Sequence, residues 1–368
     1  MLQDFDLKPL VLPLKEWFLT HARKLPWRER PEPYYVWISE IMLQQTRVEA
    51  VKRYFQRFIT ALPDVMALAN CPEDTYLKLW EGLGYYNRVR NLHHAAVQIL
   101  AEYDGVIPAD YETLLRLKGI GRYTAGAIAS LAYEKPVPAV DGNVLRVLTR
   151  VSCDDTDISK QSFRTETERI LRELLEQISP QTVSPRIFNQ ALMELGALVC
   201  VPNGEPHCED CPWKEWCLAR KKGCVSQLPV KKKAAERRIE NRTVLLIREG
   251  DRIAIHKRPP KGLLAGLYEY PNQLGHLSEN QVLVWVRKIG YAPLRIRRLA
   301  DSRHIFSHVE WRMIAYQLLV EEETFATTEQ QKKAAKEELI FVEARQQLKT
   351  YALPSAFDAY KPMIIEGN

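Results

Sequence analysis

No apolar stretch in the sequence approaches the roughly eighteen residues that a membrane span needs. The opening residues, Met-Leu-Gln-Asp-Phe-Asp, carry neither a basic region nor a long hydrophobic run. Neither a spanning helix nor a secretory leader is therefore expected; the reading is of a cytoplasmic, bacterial protein with no membrane partner. Cysteine is scarce, at seven in 368 residues, and too unevenly spaced for a disulfide scaffold. Collagen-like, low-complexity and disordered biases are missing, as are internal repeats. Net charge is only +6, enough to favour a polyanion but equally common in proteins that never meet one, so charge decides nothing.

What is present is ample material for cores, with 46% hydrophobic residues, and a length that suggests two domains. Residues 10–23 read as one helix, apolar residues recur at helical spacing from Tyr34 to Ile59, and Trp80-Glu-Gly-Leu-Gly-Tyr-Tyr marks a glycine-rich turn. Nearly everything to Cys217 reads helical. The basic run Pro229-Val-Lys-Lys-Lys-Ala-Ala-Glu-Arg-Arg then interrupts the pattern, and residues 243–247 and 252–257 are short β-rich runs. A helix near 279–289, more strand from 294 to 320 and a closing helical segment complete an α+β second domain. The expected division is 1–224, a linker at 225–240, and 241–368.

Three constellations carry chemistry. In the first, two apolar helical runs meet at Gly119-Ile120-Gly121, a helix-hairpin-helix whose turn amides suit a nucleic-acid phosphate. About twenty residues on, Asp141 opens a second polar turn; it or Asn143 could simply cap the helix 144–150, or could do chemistry. In the second, Glu40 lies in a stretch from Val36 to Val48 read as one helix, with Val36, Trp37, Leu43 and Gln44 three and four residues away. On that mostly apolar face burial would raise its pKa; a surface glutamate is the bland alternative. In the third, Cys200, Cys208, Cys211 and Cys217 form C-x7-C-x2-C-x5-C, which fits tetrahedral zinc or a [4Fe-4S] cluster equally well by spacing. Cys71, Cys153 and Cys224 lie outside that pattern and read as ordinary packing or surface residues.

The hairpin, the downstream Val-Asp-Gly-Asn-Val and the string Ser-Glu-Ile-Met-Leu-Gln-Gln-Thr-Arg-Val together resemble the helix-hairpin-helix DNA glycosylases, in particular the MutY-type adenine glycosylases. That resemblance spans almost the whole chain. It implies an all-α glycosylase domain made of a six-helix lobe (31–133) and an iron–sulfur lobe (1–30 with 134–224), with Gly119 and Gly121 at the DNA backbone. It implies that Glu40 protonates the departing adenine while ionised Asp141 faces the sugar, with Tyr123 and Asn143 hydrogen-bonding around it. Lyase relatives carry a lysine nucleophile where this chain has Tyr123, so strand cleavage should be absent or weak. The wedge that fills the gap left by a flipped base would be Gln45 with Tyr85 or Tyr86. Trp27, Arg28, Leu43, Val48 and Gln190 would line the adenine pocket.

The same resemblance favours [4Fe-4S] at the four cysteines, although the usual first gap is six residues and here Val201–His207 makes seven. Gly262-Leu-Leu-Ala-Gly-Leu-Tyr-Glu-Tyr-Pro resembles the Nudix-like C-terminal domain of these enzymes, without the acidic metal-binding signature of Nudix hydrolases, so that domain should recognise rather than hydrolyse. Phe306-Ser307-His308 matches the segment that inspects 8-oxoguanine. The expected partner is double-stranded DNA with A opposite 8-oxoguanine or G, bound by a monomer working at the nucleoid. An endonuclease III-like lyase and a non-catalytic DNA-binding iron–sulfur protein are the rivals; Tyr123 argues against the first, retention of both Glu40 and Asp141 against the second.

Overall fold

The computed structural model describes residues 2–232, 236–322 and 339–365. Lys233, Ala234 and Ala235 of the expected linker, and parts of the expected second domain (323–338 and 366–368), lie outside the described residues. The chain forms two compact units, Met1–Cys71 with Arg90–Lys233, and Pro72–Val89 with Ala234–Asn368. The unexpected part is Pro72–Val89, which the sequence reading left in the glycosylase domain. Its helix Glu73–Trp80 belongs with the second unit for a polar reason: Lys78 Nζ donates to the carbonyls of Leu348 and Tyr351, and Glu81 accepts from Leu353 N and Lys361 Nζ.

The first unit is helical. Its core surrounds the helix Gly142–Ser152, every residue of which from Val144 onward is buried. Leu14 and Trp17 of the helix Val11–His21, and Leu192 and Leu195 of the helix Pro185–Leu198, close over Leu145 and Leu148. At roughly 1.5–3 kcal/mol for each fully buried large aliphatic side chain, this packing fixes the helix that starts at Asp141. The reading of one helix from Val36 to Val48 needs correction. The helix Pro33–Leu43 stops, the chain turns through Gln44–Arg47, and a new helix runs Val48–Ala61. Gln45 stands at φ 60, the left-handed region that breaks α-helical continuity.

Among the described residues, the second unit is built on a seven-stranded sheet: β1 Arg238–Glu249, β2 Arg252–Lys257, β3 Tyr268–Glu269, β4 Asn272–Leu274, β5 Tyr291–Ile305, β6 Val309–Glu322 and β7 Ile340–Glu343. The order is β3-β2-β1-β6-β5, with β4 also on β1 and β7 on β2; β1 and β6 run parallel. Alternation along the strands sorts side chains to two faces. Trp311, Met313 and Tyr270 pack on one with Phe357 and Tyr360, while Ile314, Tyr316 and Leu318 meet Val282 and Val286 of the helix Glu279–Lys288 on the other. Strands and helix thus match the α+β expectation, and the β5–β6 hairpin carries Phe306-Ser307-His308 at its tip.

Candidate active site

Glu40 projects from the last turns of the helix Pro33–Leu43 and is only 5% exposed. Burial, reinforced by the charge of Asp141, pushes its carboxyl up to about 7, against the pull of the Tyr123 hydroxyl and Arg28. A carboxyl so placed keeps a substantial protonated fraction near neutral pH and can donate a proton. Its hydrogen-bond partner comes from the hairpin. Gly119 turns at φ 77, where a Cβ would stand 2.4 Å from that of Asn91, and Gly121 precedes the helix Arg122–Ala127. The first turn of that helix sends the Tyr123 hydroxyl to Glu40 Oε2, with Met193 Sδ 3.4 Å away. Burial, then Glu40 and Asp141, raise Tyr123 well above a phenol's usual range, so it remains a donor.

Asp141 caps the helix Gly142–Ser152: one oxygen accepts from Val144 N at 2.8 Å, the other from Asn143 Nδ2 at 2.7 Å. Capping and chemistry are thus compatible, because the carboxylate is aimed by the same bonds that stabilise it. Burial raises the pKa of this half-buried group, while the Val144 amide, Asn143 and Arg146 oppose the rise. Asp141 accepts from Val144 N and Asn143 Nδ2, while Glu40 accepts from the Tyr123 hydroxyl; the extra donors favour the ionised form more at Asp141 than at Glu40.

Several supporting residues escaped the sequence reading. Arg146 Nη2 donates to Asn143 Oδ1 and to Gly196 O, both at 2.8 Å, and its Nε donates to Cys200 O. Asn189, fully buried, accepts from Ala139 N and donates to Val137 O, clamping the extended run that leads into Asp141. Gly196 lets the helix Pro185–Leu198 approach, since a Cβ there would lie 2.6 Å from Asn143 Cβ. Gly196→Ala should therefore displace the Asp141–Asn143 turn and lower turnover by roughly 10–100-fold with the fold intact, as a misplacement near 1 Å does; circular dichroism and single-turnover rates check this.

Among the expected pocket residues, Trp27 is buried edge-on against Phe55, Gln190 is buried, and Leu43 and Val48 flank the helix break half-buried. Arg28 is engaged: its Nη2 donates to Glu194 Oε2 at 2.8 Å, and Arg23 binds the same carboxylate through Nε and Nη2. Burial alone would raise Glu194, but the two guanidinium groups override it and hold the acid at about 2. Glu194 lies one turn beyond Gln190 on the same helix, an i,i+4 spacing that could have signalled it. Gln45 is exposed at the tip of its turn.

In the second unit, Tyr85 is exposed at φ 47 while Tyr86 is buried, its hydroxyl accepting from Gly82 N at 3.4 Å. Of the two tyrosines, only Tyr85 presents a ring to solvent. Phe306 is half-buried, edge-on to Trp311 at 5.0 Å and to His304 at 4.6 Å, and its backbone closes the hairpin by donating to Val309 O. Ser307 and His308 are exposed, with Ser307 Oγ 3.1 Å from His308 Nδ1.

Cys200, Cys208, Cys211 and Cys217 line one cleft in the first unit, with Arg150 and Arg220 and no carboxylate. Among the described residues, no three His, Cys, Asp or Glu side chains already stand as a closed ligand set. The donor chemistry nonetheless fits a thiolate-bound group: Arg150 Nη1 donates to Cys200 Sγ at 3.3 Å, and guanidinium groups offset the charge of several thiolates. The loop is held independently by Trp213, buried and donating through Nε1 to Leu10 O at 2.9 Å.

Residues 38–176 match the family described as HhH-GPD superfamily base excision DNA repair protein, and residues 243–361 match the NUDIX domain. The adenine DNA glycosylase of Buchnera aphidicola subsp. Baizongia pistaciae is 34% identical over 297 residues, covering 80% of this chain and 81% of that protein. The adenine DNA glycosylase of Homo sapiens is 33% identical over 375 residues, 86% of this chain and 68% of that protein. Among solved structures, a thermostable thymine-DNA glycosylase is similar over 58% of this chain and 96% of its own, at 28% identity and a TM-score of 0.49.

Proposed function

The chain belongs to the adenine DNA glycosylases of the helix-hairpin-helix base-excision-repair superfamily, and on that footing we propose that it hydrolyses the N-glycosidic bond of adenine mispaired with 8-oxoguanine or guanine. The observation that carries the reading is the buried Glu40, raised to about 7, hydrogen-bonded by Tyr123 and beside Asp141. Glu40 protonates the flipped adenine, which makes the base a far better leaving group. Asp141, held by Val144 N and Asn143, stabilises the positive charge that grows on the sugar. Trp27, Arg28, Leu43, Val48 and Gln190 shape the adenine pocket, with Arg28 oriented by Glu194. The amides around Gly119 and Gly121 grip a phosphate, and Gln45, exposed at its turn, fills the space the adenine leaves. Tyr86, being buried, does not serve as a wedge.

The phenol of Tyr123 cannot form an imine with the sugar, so strand cleavage is absent or weak. Tyr123→Lys should introduce nicking that borohydride traps, because an amine would then sit beside the sugar carbon; no trapped adduct would place residue 123 away from the sugar. Cys200, Cys208, Cys211 and Cys217 would hold a [4Fe-4S] cluster, which would brace the loop for DNA. Purified protein should be yellow-brown and contain iron rather than zinc, and Cys208→Ala should weaken duplex binding; colourless, zinc-loaded protein reverses the assignment. The mispair itself is tested by incubating the protein with duplexes holding A opposite 8-oxoguanine, G or T, then adding alkali to reveal abasic sites. Breaks with the first two and not the third support the reading; equal breaks with all three sink it.

A further inference from the structure

Two cysteines outside the ligand set stand face to face. Cys153 Sγ and Cys224 Sγ are 3.2 Å apart, although 71 residues separate them in sequence. Two left-handed turns bring them together. Cys153 ends the Asp141 helix at φ 51, ψ 47, an unusual conformation for a residue with a side chain, and Gly223 turns at φ 65 just before Cys224. Both backbones are pinned: Cys153 N donates to Arg150 O and Cys224 N to Ala219 O. Nearby, Arg150 Nε donates to Leu228 O and Ile158 N to Val230 O, so the segment after the cysteine loop already lies along the end of this helix. Both thiols are partly exposed, and a closure of roughly 1 Å would reach bonding distance.

From this geometry we infer that Cys153 and Cys224 form a redox-responsive dithiol, a modification site that a small-molecule disulfide oxidises to a clasp. One cysteine thiolate attacks the small disulfide, forming a mixed disulfide and releasing a thiolate. The second cysteine, deprotonated, then attacks the protein sulfur of the mixed disulfide and expels the other small thiolate. Two protein thiols become one bond, the small disulfide becomes two thiols, and protons and electrons balance. The second step is intramolecular and fast because the partner waits at 3.2 Å. The clasp ties the segment carrying residues 218–230 to the helix that begins at Asp141, beside the cysteine loop but without using any of its four thiols.

The test treats full-length protein, as purified, with oxidised glutathione, alkylates remaining thiols, and digests it without reduction for mass spectrometry. A peptide linking residues 153 and 224, with no glutathione adduct persisting at either, supports the dithiol. Cys153→Ser and Cys224→Ser should each retain a glutathione adduct on the remaining thiol, since nothing resolves it. Residues 153 and 224 both recovered as alkylated thiols, or a lasting adduct in the unsubstituted protein, would overturn the proposal. Oxidation should also slow amide exchange in residues 218–230 by about tenfold; unchanged exchange with the bond formed would overturn the clasp.

Discussion

Glu40→Gln should abolish adenine release, by roughly 10²–10⁴-fold or more, while leaving binding to a mismatched duplex near that of the unsubstituted protein. Glutamine keeps the size of the side chain, and its amide oxygen can still accept the Tyr123 hydroxyl that now bonds Glu40 Oε2. The helix Pro33–Leu43 and its buried face need not move. What is lost is the only thing the mechanism asks of this position, an acidic proton in surroundings that keep it on the oxygen at neutral pH. Single-turnover release and an electrophoretic binding assay separate the two effects. Release at close to the unsubstituted rate would mean that another group protonates the base.

The second large effect concerns the opposite strand. Phe306→Ala with Ser307→Ala should slow adenine removal opposite 8-oxoguanine by roughly ten- to a hundredfold and leave removal opposite guanine little changed. The damaged base differs from guanine by a carbonyl at C8 and a proton on N7, so a hydroxyl that donates to one and accepts from the other can distinguish them. A polar group left unpaired in such a site costs about 1–3 kcal/mol, and 1.4 kcal/mol is a factor of ten. Ser307 is exposed at the hairpin tip, and Phe306 anchors that tip against Trp311. Cutting the chain at residue 225 is a poorer experiment, because it strips the helix Glu73–Trp80 of the partners that Lys78 and Glu81 find at Leu348, Tyr351, Leu353 and Lys361. Equal slowing opposite both bases would remove Ser307 from the reading role.

How much of this was legible in the sequence varied with the range of the interaction. Glu40 on an apolar helical face, the paired glycines and the cap at Asp141 are local patterns, and each was readable from neighbours within four residues. The short β-rich runs at 243–247 and 252–257 were similarly local. The break at Gln44–Arg47 was not, since no glycine or proline marks it; the left-handed Gln45 is tolerated where the stop of one helix and the start of another over-determine it. Nor could sequence show that Arg146 and Asn189 converge on the site, because each acts on a partner 50 residues away; Glu194 was signalled only by its spacing from Gln190, and its partners Arg23 and Arg28 were not. The grouping of Pro72–Val89 with the second unit, and the meeting of Cys153 and Cys224, are likewise products of tertiary packing.

The central claim, that Glu40 works as a buried acid, is tested most directly by single-turnover adenine release across roughly pH 5.5 to 9. The acid form is the active one, so the rate should fall above about 7, approaching tenfold per pH unit. Tyr123→Phe removes a hydrogen bond that lowers the pKa of Glu40, and its alkaline limb should therefore move to higher pH. A rate that stays flat or rises from neutrality to pH 9, with the Tyr123→Phe limb unmoved, would contradict the account.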